Sequence, residues 1–258
     1  MSEIKSKNNL DVPIALITGS SRGIGRSIAF NLSELGYHVV INSRNEDELN
    51  KTKLEIQGKA KKCSTFMGDL TDPKQIELCA EFIKNNFGRL DLLVTNIGSG
   101  RTENNLITDL AEWKRIFDIN FFSAVCAINS FLPLIEKNQG HICCISSIAG
   151  IEKIDIPISY SVAKAALVSL VKQMMRPLAE KQVRINSVSP GMTFFENGSW
   201  DRKLKQDPLR VNELVRTQVA LKKFVTPEDV ADCVRFLEVN KSMTGQNIIV
   251  DAGHTRQT

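Results

Sequence analysis

Tyr160 and Lys164 stand four residues apart in the stretch "ISYSVAKAAL", a spacing that brings both side chains to one face of a helix. The chain has only two tyrosines, and one of them lies a single turn before a lysine in an otherwise apolar segment. A free phenol, with a pKa near ~10, is a poor base and an unassisted acid at neutral pH. A nearby ammonium stabilises phenolate and lowers that pKa. A phenol tuned in this way gives a proton to a carbonyl oxygen as hydride arrives, or removes one in reverse. Without a hydride source elsewhere in the chain, the same pair reads as a half-buried phenol and a snorkelling lysine.

"TGSSRGIG" points to that source. Gly19, Gly23 and Gly25 follow an apolar run, "PIALITG", and open an amphipathic helical pattern over residues 23–36. Glycines there permit a tight turn and let a pyrophosphate approach the backbone, while the helix N-terminus offers free N–H groups. The strand-turn-helix context favours a dinucleotide site over a plain turn. The end of the second strand, "VVINSRNEDEL", carries Asn42, Ser43 and Arg44, where an NAD site usually has an acid for the ribose hydroxyls. The acids at 46–48 suit the first turn of the following helix. Arg44 and Arg22 have the forked geometry for a 2′-phosphate, unless both simply face solvent. The expected cofactor is therefore NADP, with NAD as the alternative.

Short β-branched runs alternate with longer helical patterns along the whole chain. Strands are expected at "PIALITG", "HVVIN", "CSTFMGDL", "LDLLVTNIG", "GHICCISS", "VRINSVSPG" and "QNIIVDAG". Between them run helical patterns, including one capped by Asn45 with Glu48 in the capping-box position, and a long one from about Asp109 to Glu136. The fold class is α/β: a single doubly wound Rossmann-type domain over residues 1–258, with a parallel sheet of about seven strands and helices on both faces. Residues 192–221 lack a regular pattern and exceed a normal connection, as a substrate lid would.

With these elements in place, the sequence resembles the short-chain dehydrogenase/reductase superfamily over nearly its whole length, and within it β-ketoacyl carrier-protein reductase-like members. The family's "TGxxxGxG" matches Thr18 to Gly25, "YxxxK" matches Tyr160 and Lys164, and "SPG" matches Ser189 to Gly191. The family's catalytic serine lies thirteen residues before the tyrosine, which selects Ser147 over Ser146; its helix asparagine falls on Asn120. The resemblance implies Tyr160 as general acid/base, Lys164 as the group that lowers its pKa and binds the nicotinamide ribose, Ser147 as hydrogen-bond partner of the reacting oxygen, and Asn120 as holder of a relay water. It also implies cofactor contacts from Thr18, Gly19, Ser21, Arg22, Gly23, Ile24 and Gly25 in the turn, and from Ser43 and Arg44 after the second strand. Asp69 and Leu70 would meet the adenine, and Asn96 and Gly98 would line the path beyond the fourth strand. Pro190, Gly191 and Thr193 would meet the nicotinamide end. Two departures stand out. "TNIG" replaces the usual "NNAG", putting Thr95 and Ile97 by the cofactor path, and Phe195 stands where the family has a threonine, leaving Thr193 to supply that contact.

The expected substrate is a small-molecule carbonyl or secondary alcohol. A 3-oxoacyl thioester on a carrier protein or coenzyme A is one class, and a sugar or sugar nucleotide of surface-polysaccharide synthesis is the other. Phe194, Phe195 and Trp200 followed by Arg202, Lys203 and Lys205 would close over an apolar body with an anionic handle, or simply pack and solvate the lid. A non-catalytic NADP-binding sensor is the reading from outside the enzymes. The net charge of +4 is scattered and gives no nucleic-acid footprint. Three dispersed histidines and six cysteines without a CxxC pair give no metal site, and the cysteines read as buried free thiols. The polar N-terminus "MSEIKSKNNLDVP" is unlike a signal peptide, and no apolar run of membrane-spanning length is expected. These features lead to an expected cytoplasmic protein without membrane or nucleic-acid partners. The family resemblance adds a homotetramer or homodimer.

Overall fold

The structure, a computed structural model, describes residues 12–102, 105–106 and 108–255. Most of the N-terminal segment read as lacking a signal peptide, residues 1–11, lies outside the described residues.

Seven parallel strands form one sheet: β1 (Ile14–Ile17), β2 (His38–Ser43), β3 (Cys63–Met67), β4 (Leu92–Thr95), β5 (His141–Ile145), β6 (Arg184–Pro190) and β7 (Asn247–Val250). Their spatial order is β3-β2-β1-β4-β5-β6-β7. The order reverses direction at β1, which pairs with both β2 and β4; Ile17 sits level with Ile41 on one side and Val94 on the other. The near-continuous apolar composition of the central strands follows from burial on both faces. Leu16, Val40, Leu93, Ile142 and Ile185 point into one core, and Ala15, Ile17, Val39, Ile41, Leu92 and Val94 into the other.

Helices α1 (Gly23–Glu34), α2 (Glu46–Gly58) and α9 (Pro227–Val239) cover the second face. The first is covered by α3 (Pro73–Phe87), α5 (Ser123–Glu136) and α6 (Ile158–Glu180). This is the doubly wound arrangement expected, with its switch point between β1 and β4, where such sheets open a crevice at the carboxyl ends of the strands. All six cysteines are free, and burial raises Cys143 well above its ordinary value and Cys144 to about 11, so both remain thiols.

Three expectations change. Residues 192–221 are not irregular: they contain α7 (Ser199–Gln206) and α8 (Pro208–Gln218), the latter opened by the Asp207 carboxylate accepting from the Arg210 amide at 3.0 Å. Second, the long helix expected from about Asp109 to Glu136 is present as α4 (Leu110–Phe117), a π-helical turn (Asp118–Phe122) and α5, 27 residues in all, but by length and composition it is apolar enough to span a membrane, where no such segment was expected. Its Ala124, Ala127, Ile128, Phe131 and Ile135 are buried in the core beside α3 and β4. Third, Asn45 caps α2 by accepting from the Glu48 amide at 3.0 Å, but the Glu48 side chain does not return the bond. The Asn45 amide donates to Ser43 Oγ at 3.1 Å instead.

Candidate functional site

The turn after β1 is built by its glycines and braced by two asparagines. Gly19 and Gly23 take φ of +60° and +55°, in the left-handed region that side chains other than hydrogen disfavour. A Cβ on Gly25 would lie 2.5 Å from the Gly19 carbonyl and 2.6 Å from Asn96 Nδ2. Asn96 Nδ2 donates to the carbonyls of Thr18 and Gly19 at 3.0 and 2.9 Å, and Thr18 Oγ1 accepts from the Asn96 and Ile97 amides. On the other side Asn42 Oδ1 accepts from the Gly19 amide at 3.1 Å. Helix α1 starts at Gly23 with no side-chain cap, so its first N–H groups face the turn uncovered by any side chain of their own. A tight turn in which glycines let backbone pass close to backbone, ending on an uncapped helix N-terminus, fits a dinucleotide pyrophosphate. Ile97, the departure from the family pattern, lies over Gly19 and joins the core, while Asn96 and Gly98 keep their places.

The rim beyond β2 carries acids as well as the expected arginines. Arg22 and Arg44 are both next to carboxylates: Arg22 Nη1 lies 3.9 Å from Glu48, and Arg44 Nη1 donates to Asp69 Oδ2 at 3.1 Å. Ser21 Oγ lies 3.0 Å from both Ser43 Oγ and Glu48 Oε2. Burial opposes ionisation of Asp69, but the Thr71 hydroxyl and amide together with Arg44 hold it below the usual carboxylate range. The side chain of Leu70 is buried in the core with residues of α3, so any contact it makes with a ligand is through its backbone. Ile24 is half-buried against the second core.

Across the crevice, Lys164 is buried and donates from Nζ to the Ile145 carbonyl at 2.9 Å. Burial pulls its ammonium down to about 8. Nζ sits 5.9 Å from the centre of the Tyr160 ring. Burial raises the Tyr160 phenol, and the Ser147 hydroxyl, hydrogen-bonded to it, pulls it partly back. Sequence reasoning expected the phenol to be lowered by Lys164 and an oxidised nicotinamide together; in the protein alone, desolvation wins. Ser147 also caps a 3-10 turn (Ile148–Gly150), its Oγ accepting from the Ala149 amide at 3.2 Å. Ser146 faces elsewhere, donating to the Lys164 carbonyl at 3.0 Å.

Asn120 lies in the π-helical turn, buried, with its amide donating to the carbonyls of Ser99 and Ile116 at 2.9 Å each and accepting from the Ser99 amide at 2.9 Å. It thereby holds the loop after β4. In that loop a Cβ on Gly98 would lie 3.0 Å from both Asn120 Oδ1 and Lys164 Nζ, and one on Gly100 3.6 Å from the Tyr160 ring.

At the end of β6, Pro190 is buried, and Gly191 packs against Asp251 while its amide donates to the Val250 carbonyl at 2.9 Å. Thr193 is fixed by a bridge to Val225, its hydroxyl donating to the Gly191 carbonyl at 3.2 Å. Phe194 and Trp200 both pack on Phe224, at 5.4 and 6.1 Å between ring centres, beside Met192, Val215 and Val219. These aromatics therefore hold α7 and α8 together, the plainer of the two readings. Phe195 lies against the glycine turn: a Cβ on Gly23 would meet its ring at 2.6 Å. Lys205 pairs with Asp201 at 2.8 Å, and Arg210 reaches Asp155 at 3.5 Å on the surface. Arg202 is held below the usual arginine value by burial and by Arg101 and Arg22, which share its surroundings.

Sequence reasoning did not single out Ser99 as the partner of Asn120, or Glu48 as the partner of Ser21 and Arg22. Nor did it give Asn42 its bracing role, although a polar residue closing an apolar strand was a readable signal.

A family model described as short chain dehydrogenase matches residues 13–200. A diacetyl reductase [(S)-acetoin forming] from Staphylococcus epidermidis is 32% identical, the match covering 93% of this chain and 97% of that protein. The 3-oxoacyl-[acyl-carrier-protein] reductase FabG of Staphylococcus aureus is 31% identical, over 93% of this chain and 96% of its own length. Among solved structures, YwfH, an NADPH dependent reductase involved in bacilysin biosynthesis, superposes with a TM-score of 0.90 at 25% identity, covering 96% of this chain and 100% of that one.

Proposed function

The chain belongs to the short chain dehydrogenase family, and from that premise we propose that it is an NADP(H)-dependent reductase of a ketone standing near a second carbonyl, such as a 3-oxoacyl thioester. One observation carries this reading: Tyr160, Ser147 and Lys164 meet at the carboxyl ends of the strands, beside a glycine turn shaped for a dinucleotide. The cofactor would be held by the α1 N-terminus, by Thr18 and Asn96 through the backbone they position, and by Lys164 at the nicotinamide ribose; when bound, it supplies the hydride.

The remaining work falls to the chain. Ser147 and Tyr160 donate hydrogen bonds to the substrate carbonyl, and the Tyr160 proton passes to its oxygen as alkoxide forms. Burial keeps that phenol protonated at neutral pH, which is the form reduction consumes. The Lys164 ammonium then faces the phenolate and favours it electrostatically. Residues 192–221 fold over the substrate as a lid on a single 1–258 domain. The dicarbonyl preference draws on the two relatives, whose names describe reduction of a diketone and of a 3-oxoacyl group. Trp113, Phe117, Phe121 and Phe122 form a run of ring contacts along the α4–α5 helix, and the half-exposed Phe122 suits a subunit interface of a homodimer or homotetramer.

The test is NADPH oxidation against diketones, 3-oxoacyl thioesters and keto-sugars, with Tyr160→Phe alongside. The expected result is turnover of dicarbonyl substrates by the wild type and loss of most of it in the variant, with NADPH affinity retained. A fully active Tyr160→Phe would sink the assignment. Tight NADPH binding without turnover on any substrate would favour a non-catalytic sensor.

A further inference from the structure

Glu48 occupies the third position of α2, where a carboxylate ordinarily turns back to the N-cap amide. Here that amide belongs to Ser43 Oγ, and the Glu48 carboxylate turns the other way. It hydrogen-bonds the Ser21 hydroxyl at 3.0 Å and lies 3.9 Å from Arg22. Ser21 in turn touches Ser43, at 3.0 Å. A serine hydroxyl from the glycine turn, a second from the end of β2 and a guanidinium thus converge, and a negative charge of the protein's own is already among them.

These groups border the place where the adenosine ribose of a dinucleotide lies in a doubly wound sheet, just beyond the second strand. A 2′-phosphate there seeks the same donors, Ser21, Ser43 and Arg22, and meets a carboxylate holding two of them. A free 2′-hydroxyl instead donates to a carboxylate. We propose that Glu48 discriminates at the 2′ position of the adenosine ribose: it accepts from the 2′-hydroxyl of NAD(H) and competes with the 2′-phosphate of NADP(H) for Ser21 and Arg22. The preference for NADP(H) is thereby held below what Arg22 and Arg44 alone would set. The Arg44–Asp69 pair acts in the same sense at the other arginine. The inference rests on the dinucleotide reading above and adds which ribose the site tolerates.

Calorimetric binding to the full chain tests this without turnover. NADPH, NADH, adenosine 2′,5′-bisphosphate and 5′-AMP are titrated into the wild type, Glu48→Gln and Glu48→Ala. Both variants keep the Glu48 backbone amide that Asn45 accepts, so the α2 cap stays intact. Removing one like charge beside a phosphate should tighten NADPH and the bisphosphate about tenfold. NADH and 5′-AMP should stay level or weaken, so the affinity ratio rises in both variants. A ratio that moves less than about threefold, on a scale where tenfold is about 1.4 kcal/mol, or affinities that all move together, would overturn the role of Glu48. Failure of the wild type to bind either dinucleotide would instead overturn the dinucleotide reading, and the inference with it.

Discussion

Replacing Asn120 with alanine should cost stability as well as turnover, because the side chain is already committed to holding backbone. Both amide hydrogens are used, on the carbonyls of Ser99 and Ile116, and Oδ1 accepts from the Ser99 amide, each at 2.9 Å. Alanine would leave two carbonyls and one N–H without this partner in a buried place. At about 1 kcal/mol for each lost hydrogen bond the penalty is about 3 kcal/mol. For a domain of this size each kcal/mol shifts the melting temperature by about 2–4 °C, so a drop of about 6–12 °C is expected. The loop released is the one whose Gly98 abuts Lys164 and whose Gly100 abuts the Tyr160 ring, so turnover should fall with stability. Calorimetric melting and NADPH oxidation on the same preparations provide the assay. A melting temperature within about 2 °C of wild type, below the shift a single kcal/mol produces, together with collapsed turnover would refute the reasoning. It would leave Asn120 acting through a relay water alone.

Lys164 gives a pH signature. Its ammonium sits at about 8 against 10.5 for an ordinary lysine, so between those values the unfolded chain binds the extra proton and stability should rise with pH, by at most about 3 kcal/mol. Lys164→Met should flatten that rise in melts from pH ~8 to ~10.5, the window these two values bracket; an unchanged rise would show the lysine is not its source. The two adjacent serines should separate by assay. Ser147→Ala should lower turnover by about 10²–10³, as loss of one donor at a reacting oxygen does, with cofactor affinity intact. Ser146→Ala should cost about 1 kcal/mol of stability through its lost bond to the Lys164 carbonyl, with turnover largely kept. Equal catalytic losses would show that the pair does not divide in this way.

The strands and most helices were legible because burial on both faces of a parallel sheet leaves a pattern in composition alone. The α7–α8 region was not. Its two helices are short, with few apolar positions, and they pack through aromatics in the loops beside them, Phe194 and Phe224. The Asp207-Pro208 start of α8 was nevertheless a readable signal. Glu48 failed for a different reason. Position within α2 fixes where its backbone amide points, but its carboxylate answers to Ser21 and Arg22, 27 and 26 residues earlier, which no local spacing reports. Asn120 was found through resemblance, yet the hydrogen bonds that hold it depend on a π-helical turn that local propensity does not announce.

The choice between the two serines shows how tertiary structure completes what spacing only suggests. The segment from Ile145 to Gly150 is tied to one turn of α6 at three points. The Ile145 carbonyl accepts the Lys164 ammonium, and the Lys164 carbonyl accepts the Ser146 hydroxyl. At the third point, Gly150 approaches α6 so closely that a Cβ would lie 2.5 Å from the Lys164 carbonyl carbon. Ser146 is thus a fastener, and fastening it leaves Ser147, on the next residue, beside the Tyr160 hydroxyl. The relative placement of phenol, hydroxyl and ammonium is therefore set by contacts of main chain and buried side chains. A site supported in this way is organised before any substrate arrives, which is what proton transfer to a carbonyl oxygen requires.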